Sequence, residues 1–143
     1  MPFEYRGDIA HADIAFNAWS ETLEGLFQEA AQATMKVMVE DLTAVRPAQT
    51  VEIKLDQSNE EMLLFDFLNE LIFYKDARRL ILLPAQITIS RGAEACSLQA
   101  TLKGEEIDAG RHMLNTDVKA VTMHRFSVAQ VQAGWRATVV LDV

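Results

Sequence analysis

The sequence predicts an α+β fold: one domain of mostly antiparallel β-sheet with two α-helices packed against it. Three observations carry that prediction. Two stretches repeat their apolar residues at three- and four-residue steps, as helices do. Several shorter stretches alternate apolar and polar residues, as half-buried strands do. The last of these follow one another with no helix between them, which argues for antiparallel pairing. At 143 residues the chain is the length of a single domain, taken here as residues 1–143. A chain of that size buries roughly 70% of its unfolded surface, so it needs no disulfide or metal merely to fold.

FEYR (3–6) and DIAFNAW (13–19) read as short strands. The first helix starts near Ser20–Thr22 and runs to about Val39. Leu23, Leu26, Phe27, Ala30, Thr34 and Val37 mark its apolar face. VEIKLD (51–56) alternates cleanly, with Val51, Ile53 and Leu55 on one side. Ser58 and Glu61 have the spacing of a capping box, which starts the second helix at Ser58. Its run EMLLFDFLNELIFY (61–74) is apolar on more than one face, so this helix should be largely buried.

LILLPAQITISR (80–91) is a long strand interrupted by Pro84, which belongs at an edge or a bulge. ACSLQATLKG (95–104) ends on Lys103-Gly104, a turn signal. TDVKAVTMH (116–124) reads as another half-buried strand. On it Asp117 and Lys119, two residues apart, should share a face. FSVAQV (126–131) and WRATVVLDV (135–143) flank Ala133-Gly134 and read as a hairpin.

Composition excludes several functions. Half the residues are hydrophobic and 24% charged, the profile of a globular chain. Thirteen Lys and Arg stand against 21 Asp and Glu, a net charge of −8. A protein that grips nucleic acid by itself needs a cation for each phosphate contact, and the longest basic cluster is Arg78-Arg79. Independent nucleic-acid binding is therefore not expected. No run approaches the ~18 apolar residues of a membrane span. The N-terminus does not read as a signal peptide, so a soluble cytoplasmic protein is the expectation. The single cysteine, Cys96, alternates with core positions and reads as a small buried residue.

No nucleophile elbow, phosphate loop or His-Glu-x-x-His motif is present. The three histidines, His11, His112 and His124, lack partners at zinc-ligand spacing. The carboxylates are more suggestive. Asp13 opens a strand, and Asp142 closes one built from Val139, Val140 and Leu141. Asp142 at an exposed strand end is the plain reading. The sharper one adds the Val143 α-carboxylate and Asp13, a set of hard oxygen ligands suited to Ca²⁺ or Mg²⁺. Lys119 is either a surface lysine on an edge strand or a cation balancing that acidic group.

Five segments resemble the archease family, in the same order and at similar spacing: HADIAF (11–16), LEGLFQEAAQATMKVM (23–38), FDFLNELIFYKD (65–76), TDVKAVTMH (116–124) and GWRATVVLDV (134–143). The resemblance implies a small α+β accessory protein, not a stand-alone enzyme. Its partner would be the RNA-splicing ligase that becomes guanylylated on a histidine. The accessory protein promotes that guanylylation, multiple turnover and wider nucleotide use. It also implies a divalent cation, calcium first and magnesium or manganese as alternatives. Residue by residue, Asp13, Asp142 and Val143 match the family's metal-site positions, and Lys119 matches the lysine of its V-K-A-V-T segment. Glu70 matches the N-E of the second helix, as an outer contact or a structural residue. The family often has a histidine three residues before the aspartate. Here that position is Ala10, with His11 next to it, so no histidine role is carried over. A chaperone-like protein-binding module is the competing reading.

Overall fold

The computed structural model describes residues 2–7 and 13–143. His11 and Ala10 lie outside the described residues. The strands divide into two antiparallel sheets. The first runs β1 (Phe3–Tyr5), β2 (Ile14–Ser20), β7 (Gly134–Asp142), β6 (Ala120–Val131). The second runs β3 (Gln49–Gln57), β5 (Cys96–Glu106), β4 (Leu80–Arg91). Helices α1 (Leu23–Met38) and α2 (Glu60–Arg78) lie between the sheets, each touching strands of both. The two expected helices are present, but sequence reasoning did not separate the sheets.

The layering explains the helix sequences. On α1, Leu26, Phe27, Ala30, Ala33 and Met35 are fully buried, pointing to both sides. On α2, Leu63, Leu64, Phe67, Leu68 and Leu71 do the same, and the Phe27 and Phe67 rings meet at 5.6 Å. Thr22 caps α1, its side chain accepting from the Gly25 N–H at 3.0 Å. The cap of α2 corrects the expectation. Asn59, not Ser58, accepts from the Met62 N–H at 2.9 Å. Glu61 is thereby released from a capping box and accepts from the Val128 N–H on β6 at 3.2 Å.

Two strand boundaries also differ. β5 continues through Lys103-Gly104 to Glu106. Gly104 is a site of close approach rather than a turn, because a Cβ there would lie 1.7 Å from the Ile81 carbonyl oxygen. The second difference concerns residues 116–124. Only Ala120 onward is strand, and it joins 126–131 into one long β6. Opposite β7, residues 123–126 of β6 face Val139 alone, between the pairs Thr122↔Val140 and Ser127↔Thr138. Arg125 takes φ 53° in this bulge. The excursion turns Phe126 inward, edge-on to Phe65 at 5.6 Å. Pro84 behaves as expected, at a register shift on the edge strand β4.

Candidate functional site: one end of the four-stranded sheet

β2 begins, β7 ends and β6 begins at the same end of the first sheet. The pair Ile14↔Leu141 carries Asp13, one register step on, to the position of Asp142. Ala120 pairs with Asp142 on the other side. The Lys119 N–H donates to the Asp142 carbonyl at 2.8 Å. The backbones of Asp13, Asp142 and Lys119 therefore meet at one sheet end. Both aspartates are half-buried, and Lys119 is exposed. The Val143 side chain packs against the core, so any donor it offers comes from the main chain. Among the described residues, no three His, Cys, Asp or Glu side chains cluster to hold an ion.

Asp117 does not share a strand face with Lys119, because residues 116–119 are not strand. They form a strap across the end of α1. The Asn115 and Thr116 N–H groups donate to the carbonyls of Met38 (2.9 Å) and Val37 (3.1 Å). Asp117 turns to α2, where it accepts from the Lys75 ammonium at 2.5 Å. The same ammonium donates to the Val118 carbonyl at 2.8 Å and meets Asp76 at 2.6 Å. Burial pulls the Lys75 pKa down, but the hydrogen bonds and charges of Asp117 and Asp76 outweigh it, and the net shift is upward. A cavity of about 140 Å³ lies under the strap, walled in part by Met38, Ile81 and Leu114.

Glu70 is half-buried on α2. Its neighbour Asn69 makes the contact that matters locally, accepting from the Val121 N–H at 3.2 Å and donating to the Phe65 carbonyl at 3.1 Å. Sequence reasoning missed both Asn69 and Lys75. A lysine inside the apolar run LIFYKD was the available signal for the second.

His112 and His124 stay outside this site. His112 is buried in a polar cluster with Glu105, whose carboxylate also takes Arg111 and the Arg46 N–H. The Arg111 guanidinium and the Arg46 amide hold the Glu105 carboxyl down to about 2. His124 is exposed on the β6 bulge. Cys96 is buried, as expected, and burial pushes its thiol up, away from thiolate chemistry.

Comparison with known proteins completes the picture. The model of the Archease protein family (MTH1598/TM1083) matches residues 3–143. Protein archease of Methanopyrus kandleri is 34% identical over 144 residues, covering 100% of both chains. Protein archease of Aeropyrum pernix is 34% identical over 133 residues, 92% of each. The solution structure of Methanobacterium thermoautotrophicum protein 1598 superposes with a TM-score of 0.84 at 31% identity, over 99% of both chains. The crystal structure of a Thermotoga maritima archease, described there as a "possible chaperone", shares the fold, with a TM-score of 0.62 at 19% identity over 96% of both chains.

Proposed function

This chain belongs to the archease family, and from that membership we propose that it is an accessory factor of an RNA-splicing ligase, not an enzyme in its own right. In this reading it raises guanylylation of the ligase histidine, supports multiple turnover and widens nucleotide use. The observation that best supports the reading is the meeting of Asp13, Asp142 and Lys119 at one sheet end.

The donor chemistry fits a shared ion. Magnesium-type sites often take one or two carboxylates from protein and complete their shell with water and substrate phosphates. Asp13 and Asp142 would supply the two carboxylates, with calcium first and magnesium or manganese as alternatives. When bound, such an ion neutralises phosphate charge. Lys119 puts an ammonium beside the same end, for a phosphate or an acidic group of the ligase. Guanylylation is a nucleotidyl transfer, in which positioning and charge neutralisation carry most of the effect. The net charge of −8 suits a partner that provides the RNA contacts itself. A cytoplasmic location fits that partnership.

Purified chain, present below the ligase concentration, is expected to raise ligase guanylylation with GTP. Asp13→Ala and Asp142→Ala should each abolish the effect while leaving the thermal midpoint near that of the parent. Full stimulation by both variants would sink the acidic-tip mechanism.

A second reading is a chaperone-like module, as the Thermotoga relative is described. Exposed Phe73, Met113, Leu114 and Met123 favour it. Suppression of aggregation of unrelated proteins that survives Asp13→Ala would select it.

A further inference from the structure

We infer that Lys75 is a positioning residue for the sheet-end site: its grip on residues 117 and 118 sets where Lys119 meets Asp142. The inference rests on the reading of that end as the working site.

A helical lysine normally runs its stem along the surface and leaves its charge in water. Lys75 does the reverse, at 7% exposure, while its carboxylate partners Asp76 and Asp117 are 54% and 66% exposed. An ammonium has three protons to donate, and all three are used here. One goes to Asp76, the next residue on α2. The other two go to the strap, at the Asp117 carboxylate and the Val118 carbonyl. Val118 is itself fully buried, so its main chain is held at the carbonyl and its side chain by packing.

The very next N–H, that of Lys119, bonds Asp142. Two residues further on, Val121 is held by Asn69, also from α2. Helix α2 thus holds both flanks of Lys119, with Lys75 on one side and Asn69 on the other. The cavity under the strap sharpens the point. Residues 115–117 line a hollow, so packing from below does little to place them. Main-chain bonds to α1 hold Asn115 and Thr116, and the polar grip of Lys75 holds Asp117 and Val118.

Lys75→Met tests this. It keeps a straight apolar stem and removes the ammonium. Asp76 and Asp117 are mostly in water, so neither is stranded as a buried charge. Amide exchange at Lys119 should accelerate by about tenfold or more, as expected for local opening, while the Ala18 and Ala137 amides at the middle of the same sheet keep parental protection. In the ligase assay, maximal stimulation should fall several-fold at an unchanged half-saturating concentration. Simple loss of folded protein would instead raise that concentration.

Unchanged exchange at Lys119 overturns the grip. Faster exchange with undiminished maximal stimulation overturns the positioning role. If Lys75→Met loses protection throughout the sheet, Asp117→Asn carries the same two readouts from an exposed position. If the parent protein stimulates no ligase, the accessory-factor reading fails separately. The exchange result then decides by itself whether Lys75 holds the strand ends.

Discussion

The His112 Nε2 lies 3.0 Å from a Glu105 carboxylate oxygen, and the other ring nitrogen settles which atom carries the proton. Nδ1 accepts from the Asp108 N–H at 3.0 Å, so Nε2 must be the donor to Glu105. The arrangement closes residues 105–112 on themselves, and Arg111 ties them to the Ala44 carbonyl at 2.8 Å.

That carboxylate predicts an acid dependence. Glu105 has a folded-state pKa of about 2, depressed below its ordinary value of 4.5. A depressed carboxylate stabilises the fold above its unfolded pKa, and the contribution is lost as pH falls through the folded one. The thermal midpoint should therefore fall between about pH 4.5 and pH 2. Glu105→Gln should lower the midpoint at neutral pH and flatten this part of the profile. A variant whose midpoint keeps the parental slope over that range would contradict the assignment.

The cap of α2 separates two neighbouring residues. Asn59→Ala should cost about 1 kcal/mol, the usual cost of losing an N-cap acceptor. Ser58→Ala should change stability by less than about 0.5 kcal/mol, as surface changes do. Urea denaturation of the two variants decides between them, and the reverse order would restore Ser58 as the cap.

Gly104→Ala tests the close approach of β4 and β5. The new methyl has no room beside the Ile81 carbonyl, and the backbone must shift. A loss of about 3 kcal/mol is expected, at the upper end for overpacking. An unchanged denaturation midpoint would mean that the strands part easily there.

The proposed ion makes a prediction that needs no ligase. Saturating Ca²⁺ should raise the thermal midpoint, since ligand at 100 times its Kd adds about 2.7 kcal/mol to the native state. A chelator should reverse the rise, and Asp13→Ala or Asp142→Ala should abolish it. Lys119→Met should preserve or strengthen it, because it removes a positive charge from the sheet end proposed to hold the ion. The same Lys119→Met variant should lower ligase stimulation.

Much of the fold was legible because its signals are local. The steps of Leu23, Leu26 and Phe27, the alternation of Val51, Ile53 and Leu55, and the break at Pro84 are readable within one turn or strand. What stayed hidden depends on distant partners. Gly104 beside Lys103 has the local chemistry of a turn, and only its pairing with Gln49 on β3 and Leu82 on β4 makes it a strand residue. Residues 116–118 alternate like a strand, but their partners lie on the two helices: the Val37 carbonyl for the Thr116 N–H, and Lys75, more than forty positions earlier, for Asp117 and Val118. For the candidate site, pattern and resemblance named Asp13, Asp142 and Lys119. Their common sheet end follows from pairing register, which is a property of three strands together.

The placement of both helices between the sheets has a mechanical consequence. Among the described residues, no strand of one sheet runs alongside a strand of the other, and Arg91 over the Trp135 ring is a side-chain contact between the two. Each sheet therefore borrows its hydrophobic backing from the same two helices. Neither can peel away without exposing residues such as Phe27 and Phe67 that also back its counterpart. The molecule has no detachable half, and it should melt as one unit from whichever side it is heated, pulled or diluted into denaturant.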